Sequence, residues 1–131
     1  MAIDFIDIRI VSLEEEMMVE SPNDRALFHI YLRLSQTPPP LWQHHFRESR
    51  KVSRHPHWRQ AWLDRKYIVV ECPVHEIETY HLNDLKQDIA HANRQYRSHL
   101  ERQAALEHQK EKATHQEREK LRELKDRLNF D

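Results

Sequence analysis

The feature that most constrains this chain is a run without proline or glycine over residues 82–128. The run is rich in Glu, Lys, Arg, Gln, Ala and Leu, which lose little conformational freedom in a helix. A single helix of this length would measure about 70 Å at a rise of ~1.5 Å per residue. The preceding residues fill a compact domain of only about 30 Å. We therefore expect the helix to extend beyond the domain that precedes it.

Apolar spacing divides the long helix into two parts. The first part carries a continuous apolar stripe with three-and-four spacing, formed by Leu82, Leu85, Ile89, Ala92 and Tyr96. Residues 107–120 offer one apolar side chain, Ala113, so the apolar positions that a regular coiled coil needs over several heptads are missing. We predict an α+β domain at residues 1–96, which includes the first half of the helix, and a charged, projecting helical extension at residues 97–131.

The residues before the long helix predict two pairs of strands separated by a short helix. Alternation of apolar and polar residues, rich in β-branched and aromatic types, indicates strands at residues 2–13, 25–35, 58–63 and 66–72. Three prolines at 38–40 favour a helix over about 39–49, because proline is tolerated in a first helical turn. The order β-β-α-β-β-α predicts an α+β fold with a four-stranded, mostly antiparallel sheet and helices on one face.

The absence of glycine from the whole chain excludes several classes of function. Gly-rich phosphate-binding loops and the dinucleotide-binding fingerprint both depend on glycine. No apolar run approaches the ~20 residues of a membrane span, and the first residues lack a basic flank and an apolar signal region. The single cysteine, Cys72, cannot form an internal disulfide. We expect a soluble cytoplasmic protein with no membrane partner.

Charge is distributed unevenly along the chain, although the net charge is −1. Residues 1–24 contain one basic and seven acidic side chains, for a net charge of −6. Residues 25–66 contain nine basic and two acidic side chains, for a net charge of +7. Opposite charges in one chain favour contact between copies of it.

The basic segment 42–66 indicates nucleic-acid binding as an alternative function. Its cations can neutralise phosphates, and the candidate binding residues are Arg47, Arg50, Lys51, Arg54 and Arg59. Trp42, Trp58 and Trp62 could stack on bases. However, the tryptophans also fit a core, and the pI near 6.8 is far below that of a typical nucleic-acid-binding domain. Nucleic-acid binding is therefore the second hypothesis.

Eleven histidines invite a metal hypothesis, but their spacing does not support it. Zinc sites use Cys or His pairs at fixed separations, whereas the pairs here are adjacent, as at residues 44–45, or separated by one residue, as at 55 and 57. Cys72 near His75 has no accompanying catalytic motif, and a lone cysteine on a buried strand is typical of a packed thiol. We predict no metal, no cofactor and a non-catalytic role rather than an enzyme.

The last apolar side chains of the chain indicate a protein-binding function. Leu121, Leu124 and Leu128 lie along one edge of the predicted helix, and Phe130 follows them. Such a stripe at the end of a helix is typical of groove binding or bundle formation. We predict a scaffold, adaptor or oligomerising protein that uses these four residues to bind a second copy or another protein.

Overall fold

The computed structural model describes residues 3–131 and has the predicted α+β fold, with a mostly antiparallel sheet and a long C-terminal helix. The strands are β1 (Ile10–Leu13), β2 (Val19–Glu20), β3 (Phe28–Leu34), β4 (Ala61–Asp64) and β5 (Tyr67–Cys72). The α-helices are α1 (Pro40–Arg50) and α2 (Leu82–Arg127). The described residues form two compact units, one comprising Phe5–Tyr96 and the other Arg97–Asp131 with Ile3 and Asp4.

The sheet is centred on β3 and β5, which pair in an antiparallel manner from Phe28 opposite Cys72 to Arg33 opposite Tyr67. β4 pairs with the outer side of β5. On the other side of β3, β1 pairs with Leu32–Leu34 and β2 pairs with Phe28 and His29. β1 and β2 therefore share one edge of the sheet, and the spatial order is β1-β3-β5-β4 with β2 beside β3.

The sheet has five strands instead of the predicted four, and the difference lies in the N-terminal segment. A single strand over residues 2–13 was predicted, but β1 begins at Ile10 and has an irregular register between Ile10 and Ser12. A 3-10 turn at Glu15–Met17 then interrupts pairing, and the chain returns to the sheet as β2. Residue 2, where the predicted strand began, lies outside the described residues.

The predicted alternation of Ile6, Ile8 and Ile10 also fails over this segment. Ile8 is buried in the core, whereas Ile6 is exposed. The reason is that Ile8 bonds to a side chain instead of a neighbouring strand: the amide of Asn93 in α2 accepts from its N–H at 3.0 Å and donates to its carbonyl at 2.9 Å. The two faces of an extended ladder are therefore not maintained here.

The core lies between one face of the sheet and the two α-helices. β3 and β5 contribute alternate residues to it, including Ile30, Leu32, Ile68 and Val70. The helices contribute Trp42, Phe46, Leu85, Ile89 and Ala92. Four of the five residues of the stripe predicted from three-and-four spacing, Leu85, Ile89, Ala92 and Tyr96, thus pack in this core.

A π-helical segment at Ile77–His81 immediately precedes α2. Residues 74–76 separate this segment from Pro73, which follows β5, and the segment carries His81 into a buried position beside buried Glu76. π-helical turns are rare and recur at functional sites. In this protein the segment positions part of a polar cluster described below.

Candidate functional site

The four C-terminal apolar residues predicted to bind a partner form one surface, called here the leucine surface. Leu121 and Leu124 lie on the last turns of α2, and Leu128 follows directly after its last residue; together with Phe130 they line a single shallow groove. Their exposed fractions are 64%, 41%, 49% and 84% in that order. These apolar side chains are therefore available to a binding partner.

The charged residues that line the groove of the leucine surface are all basic. Arg118, Arg122 and Lys125 line the groove together with the apolar side chains, and no described acidic residue does. Arg122 also donates to Glu119 at 2.8 Å across one helical turn. A partner that covers this surface would meet apolar contacts bordered by positive charge.

The basic segment takes part in a second assembly, called here the polar network. It joins the end of α1, the loop that follows α1, the π-helical segment and the first turns of α2. Its members are Ser49, Arg50, Arg54, His55, Arg59, Glu76, His81, Asp84 and Asp88. These partners are distant in sequence, so the network fixes how the loop and helices meet.

Asp88 is the centre of the polar network and is completely buried. Its Oδ1 accepts from Ser49 Oγ and from Arg54 Nη2, each at 2.6 Å. Its Oδ2 accepts from Arg50 Nη1 at 2.6 Å. Three donors, two of them cationic, thus compensate for removing this carboxylate from water.

Arg50 is held on several sides at once. Its side chain is 9% exposed, and Nη2 donates to the Arg59 carbonyl at 3.0 Å in addition to the Asp88 contact. The guanidinium groups of Arg50 and Arg54 lie over the Trp58 ring, 4.2 and 4.7 Å from its centroid. Burial lowers the pKa of Arg50, and the hydrogen bond to Asp88 opposes this shift. The Trp58 ring is therefore covered by two cations of the protein itself.

His55 and Asp84 form a close pair within the network, with His55 Nε2 and Asp84 Oδ2 2.5 Å apart. The other ring nitrogen of His55, Nδ1, accepts from the His57 backbone N–H at 3.1 Å. Because Nδ1 is an acceptor, Nε2 carries the proton and donates to Asp84. Both nitrogens of His55 are thus engaged, which leaves neither one positioned to take a proton from a substrate.

Glu76 links the loop to the π-helical segment. Arg59 donates to it in a bidentate manner, with both N–O distances at 3.1 Å, and His81 Nε2 lies 2.9 Å from Glu76 Oε1. The hydrogen bonds from Arg59 lower the pKa of Glu76 to about 2, with a smaller contribution from His81. Glu76 therefore stays ionised in the folded protein under all but strongly acidic conditions.

The low pKa of Glu76 predicts a specific contribution to acid stability. An unfolded glutamate titrates near ~4.3, so the stabilisation by Glu76 is full above that pH and disappears as pH falls towards about 2. We expect Glu76→Gln to be less stable than the wild type at pH 6, with the difference shrinking towards pH 2. Urea unfolding measured at several pH values tests this, and a difference that stays constant over that range contradicts it.

The five residues predicted to contact nucleic acid differ in their surroundings. Arg50, Arg54 and Arg59 make the salt bridges described above. Arg47 is exposed on α1, and Lys51 pairs with Glu48 at 2.7 Å on the surface. Nucleic-acid binding stays a prediction. A salt-dependent binding assay of it should substitute Arg47 and Lys51, because their loss leaves Asp88 paired.

The three tryptophans of the basic segment occupy three different environments. Trp42 is completely buried, and its Nε1 donates to Asn93 at 2.8 Å. Trp58 lies under the guanidinium groups of Arg50 and Arg54 of the polar network. Trp62 on β4 is partly exposed and meets the His29 ring edge-on, with centroids 5.0 Å apart. A continuous stacking platform for bases is therefore not formed by these three rings.

The histidines considered for metal binding and the cysteine considered as a nucleophile do not form a recognisable site within residues 3–131. Within residues 3–131, no group of three or more His, Cys, Asp and Glu side chains is arranged to hold a metal ion. Cys72 is buried in the core, where desolvation raises its pKa to about 12. The thiol is thus protonated at neutral pH and has little nucleophilic character.

Sequence reasoning identified the cations of the polar network but missed its acidic centre. Asp84 and Asp88 are four residues apart on α2 and flank the apolar stripe of Leu85 and Ile89. Two carboxylates one helical turn apart beside a buried apolar stripe indicate buried ion pairs when the chain also contains a basic segment. This is the sequence pattern from which the acidic centre could have been predicted. That signal does not identify the partners, which are 29 to 39 residues away.

Comparisons with known family models, curated proteins and solved structures find no match to this chain. Across the described part of the chain, no helix is both long enough and apolar enough to cross a membrane.

Proposed function

We propose that this protein is a non-catalytic, oligomerising interaction protein that binds a second copy of itself through the leucine surface. The observation that carries the proposal is the exposure of four apolar side chains around one groove. Contiguous exposed apolar patches are typical of protein-binding sites. A second copy is favoured as the partner because cations line the leucine surface, whereas residues 1–24 of the same chain carry a net charge of −6. A cytoplasmic location is part of this proposal and rests on the use of a single, unpaired cysteine.

The size of the leucine surface predicts weak, concentration-dependent association. Complete burial of one exposed large apolar side chain contributes roughly 2 kcal/mol, so these four, which are already partly buried, contribute about 5 kcal/mol together. The loss of translational and rotational freedom on association costs about 4–15 kcal/mol. The four side chains therefore hold a complex only with help from complementary contacts on the partner.

Replacing Leu124 with glutamate is expected to disrupt self-association. The substitution introduces a charge at the middle of the leucine surface, and burying that charge without a partner is unfavourable. We expect the dissociation constant to rise at least about tenfold, which corresponds to ~1.4 kcal/mol. Sedimentation velocity over a wide range of protein concentrations measures this change.

Leu106→Glu is the matched control for that experiment. Leu106 is an exposed leucine on the same helix but outside the leucine surface. We expect this variant to associate like the wild type. If Leu124→Glu associates like Leu106→Glu, the leucine surface is not the contact. If the wild type is monomeric at every concentration, self-association is wrong and the surface needs a different protein as its partner.

A further inference from the structure

A second apolar groove lies in the unit Phe5–Tyr96, between the edge of the sheet and the segment that precedes α2. It encloses about 480 Å³, and we call it the acidic groove. Its lining residues are Leu13, Glu14, Glu15, Met18, Ile30, Val74, His75, Ile77 and Glu78. Leu13, Met18 and Val74 are exposed apolar side chains, whereas Ile30 belongs to the core. The lining of the groove thus includes both exposed apolar side chains and one residue of the core.

The local fold explains why this corner is uncovered. Leu13 pairs with Leu32 at the end of β1, and the acidic 3-10 turn that follows leads the chain away from the ladder. On the other side of the groove, Pro73 ends β5, and the lining residues 74–78 follow it. The apolar side chains at the end of the edge strand therefore lack the helical cover that the middle of the sheet receives.

The charges around this groove are opposite to those around the leucine surface. Three carboxylates, Glu14, Glu15 and Glu78, line the acidic groove, and no described lysine or arginine lines it, although Arg33 lies 3.6 Å from Glu14. The leucine surface is instead lined by three cations and no described carboxylate, and one of these cations, Arg122, is paired with Glu119. Each surface therefore combines apolar contacts with the charge that the other requires.

We infer that the acidic groove of one copy binds the leucine surface of a second copy. This inference rests on the proposed self-association and specifies its receptor. Each contact joins two different surfaces. If two copies each place their leucine surface in the other's acidic groove, they form a closed dimer. If each copy instead binds a different neighbour, larger assemblies form.

Cysteine cross-linking tests which surfaces meet. The native thiol, Cys72, is buried and does not interfere. Met18→Cys places a thiol in the acidic groove, and Leu124→Cys places one on the leucine surface. After mixing the two variants with a mild oxidant such as copper phenanthroline, we expect a disulfide between different chains. Val52→Cys is the matched partner control, because Val52 is exposed but outside both surfaces.

The cross-linking outcomes separate the candidate partners of the leucine surface. Preferential pairing of the Met18 and Leu124 variants supports the inference. Equal pairing with the Val52 variant overturns it. Faster pairing of the Leu124 variant with itself also overturns it and indicates that two leucine surfaces meet each other.

Charge reversal provides an independent test that needs no added thiol. Glu15→Lys with Glu78→Lys reverses two exposed groove charges, whereas Glu14 is left intact because it accepts from Ser12 at 2.6 Å. Arg118→Glu with Lys125→Glu reverses two charges of the leucine surface. We expect each reversed chain to associate about tenfold more weakly, and an equimolar mixture of the two to recover association.

Glu101→Lys with Glu107→Lys is the matched control for the groove variant, because it raises the net charge by the same amount on exposed residues outside both surfaces. A wild type that self-associates through Leu124, combined with no recovery in the mixture, overturns the acidic groove as receptor and leaves the proposed function intact. A wild type that does not self-associate overturns both.

Discussion

Replacing Asp88 with asparagine is expected to lower the free energy of unfolding by about 3–5 kcal/mol, the cost typical of breaking a buried ion pair from one side. The amide has nearly the same shape but no charge, so two guanidinium groups lose their counter-ion. Arg50 cannot turn to solvent for compensation, since its side chain is 9% exposed. Urea unfolding followed by tryptophan fluorescence measures the effect, because Trp58 contacts both arginines.

Glu117→Gln is the control for Asp88→Asn, because it removes one charge from a solvent-exposed salt bridge on the same helix. Glu117 accepts from Lys120 at 3.1 Å, and such surface pairs contribute about 0–1 kcal/mol. A second variant, Asp88→Leu with Arg50→Met, replaces both buried charges with apolar groups and is expected to recover much of the loss. A loss below about 1 kcal/mol for Asp88→Asn would contradict a central role for this carboxylate.

The interior strands and the helices were predictable because their signals are local. β3, β5 and α1 lie within three residues of their predicted limits, and α2 within one. Alternation in β3 and β5 reflects a sheet with one face on the core. The prolines before α1 restrict the backbone to angles that suit the start of a helix. Each of these elements is specified by its own residues.

The sheet edge was harder to predict, because its pairing depends on residues far away in the sequence. The segment before β1 alternates like a strand, yet its backbone bonds at Ile8 go to Asn93, 85 residues later. β2 is two residues long and joins the sheet after an acidic turn. The π-helical turn at Ile77–His81 also has no evident local signal.

The candidate surfaces show the same division between local and distant information. The leucine surface follows from spacing along one helix, so its members were identified from sequence and lie together. The acidic groove and the polar network each combine side chains from several elements. Identifying them requires the fold, because no spacing rule connects residues 13–18 with residues 74–78.

The polar network and the two proposed binding surfaces share no residues. Substitutions in the network should therefore change stability, and substitutions on the surfaces should change association. Ionic and polar groups buried in the network have partners: among residues 3–131, no buried side-chain nitrogen or oxygen lacks a hydrogen bond. This completeness favours a structural role for the basic segment, which holds the loop after α1 against α2.

Asn93 on α2 provides the second large stabilising contact of the chain. Its Oδ1 accepts from Ile8 N–H at 3.0 Å and from Trp42 Nε1 at 2.8 Å, and its Nδ2 donates to the Ile8 carbonyl at 2.9 Å. The Asn93 side chain thus provides Ile8 with the backbone hydrogen bonds that a neighbouring strand would otherwise make, and it accepts the hydrogen bond of the buried Trp42 indole N–H. Ile8 and Trp42 are both buried, so water cannot replace these bonds without opening the core.

Asn93→Ala is expected to lower the free energy of unfolding by at least about 3 kcal/mol, because each buried polar group left without a partner costs about 1–3 kcal/mol. Asn83→Ala, an exposed change on the same helix, is the control and should stay within about 0.5 kcal/mol of the wild type. Hydrogen exchange locates the effect: the Ile8 amide should lose more protection than that of Leu32 in the centre of the sheet. Equal losses at both amides would mean that Asn93 supports the whole core and does not specifically hold the N-terminal segment.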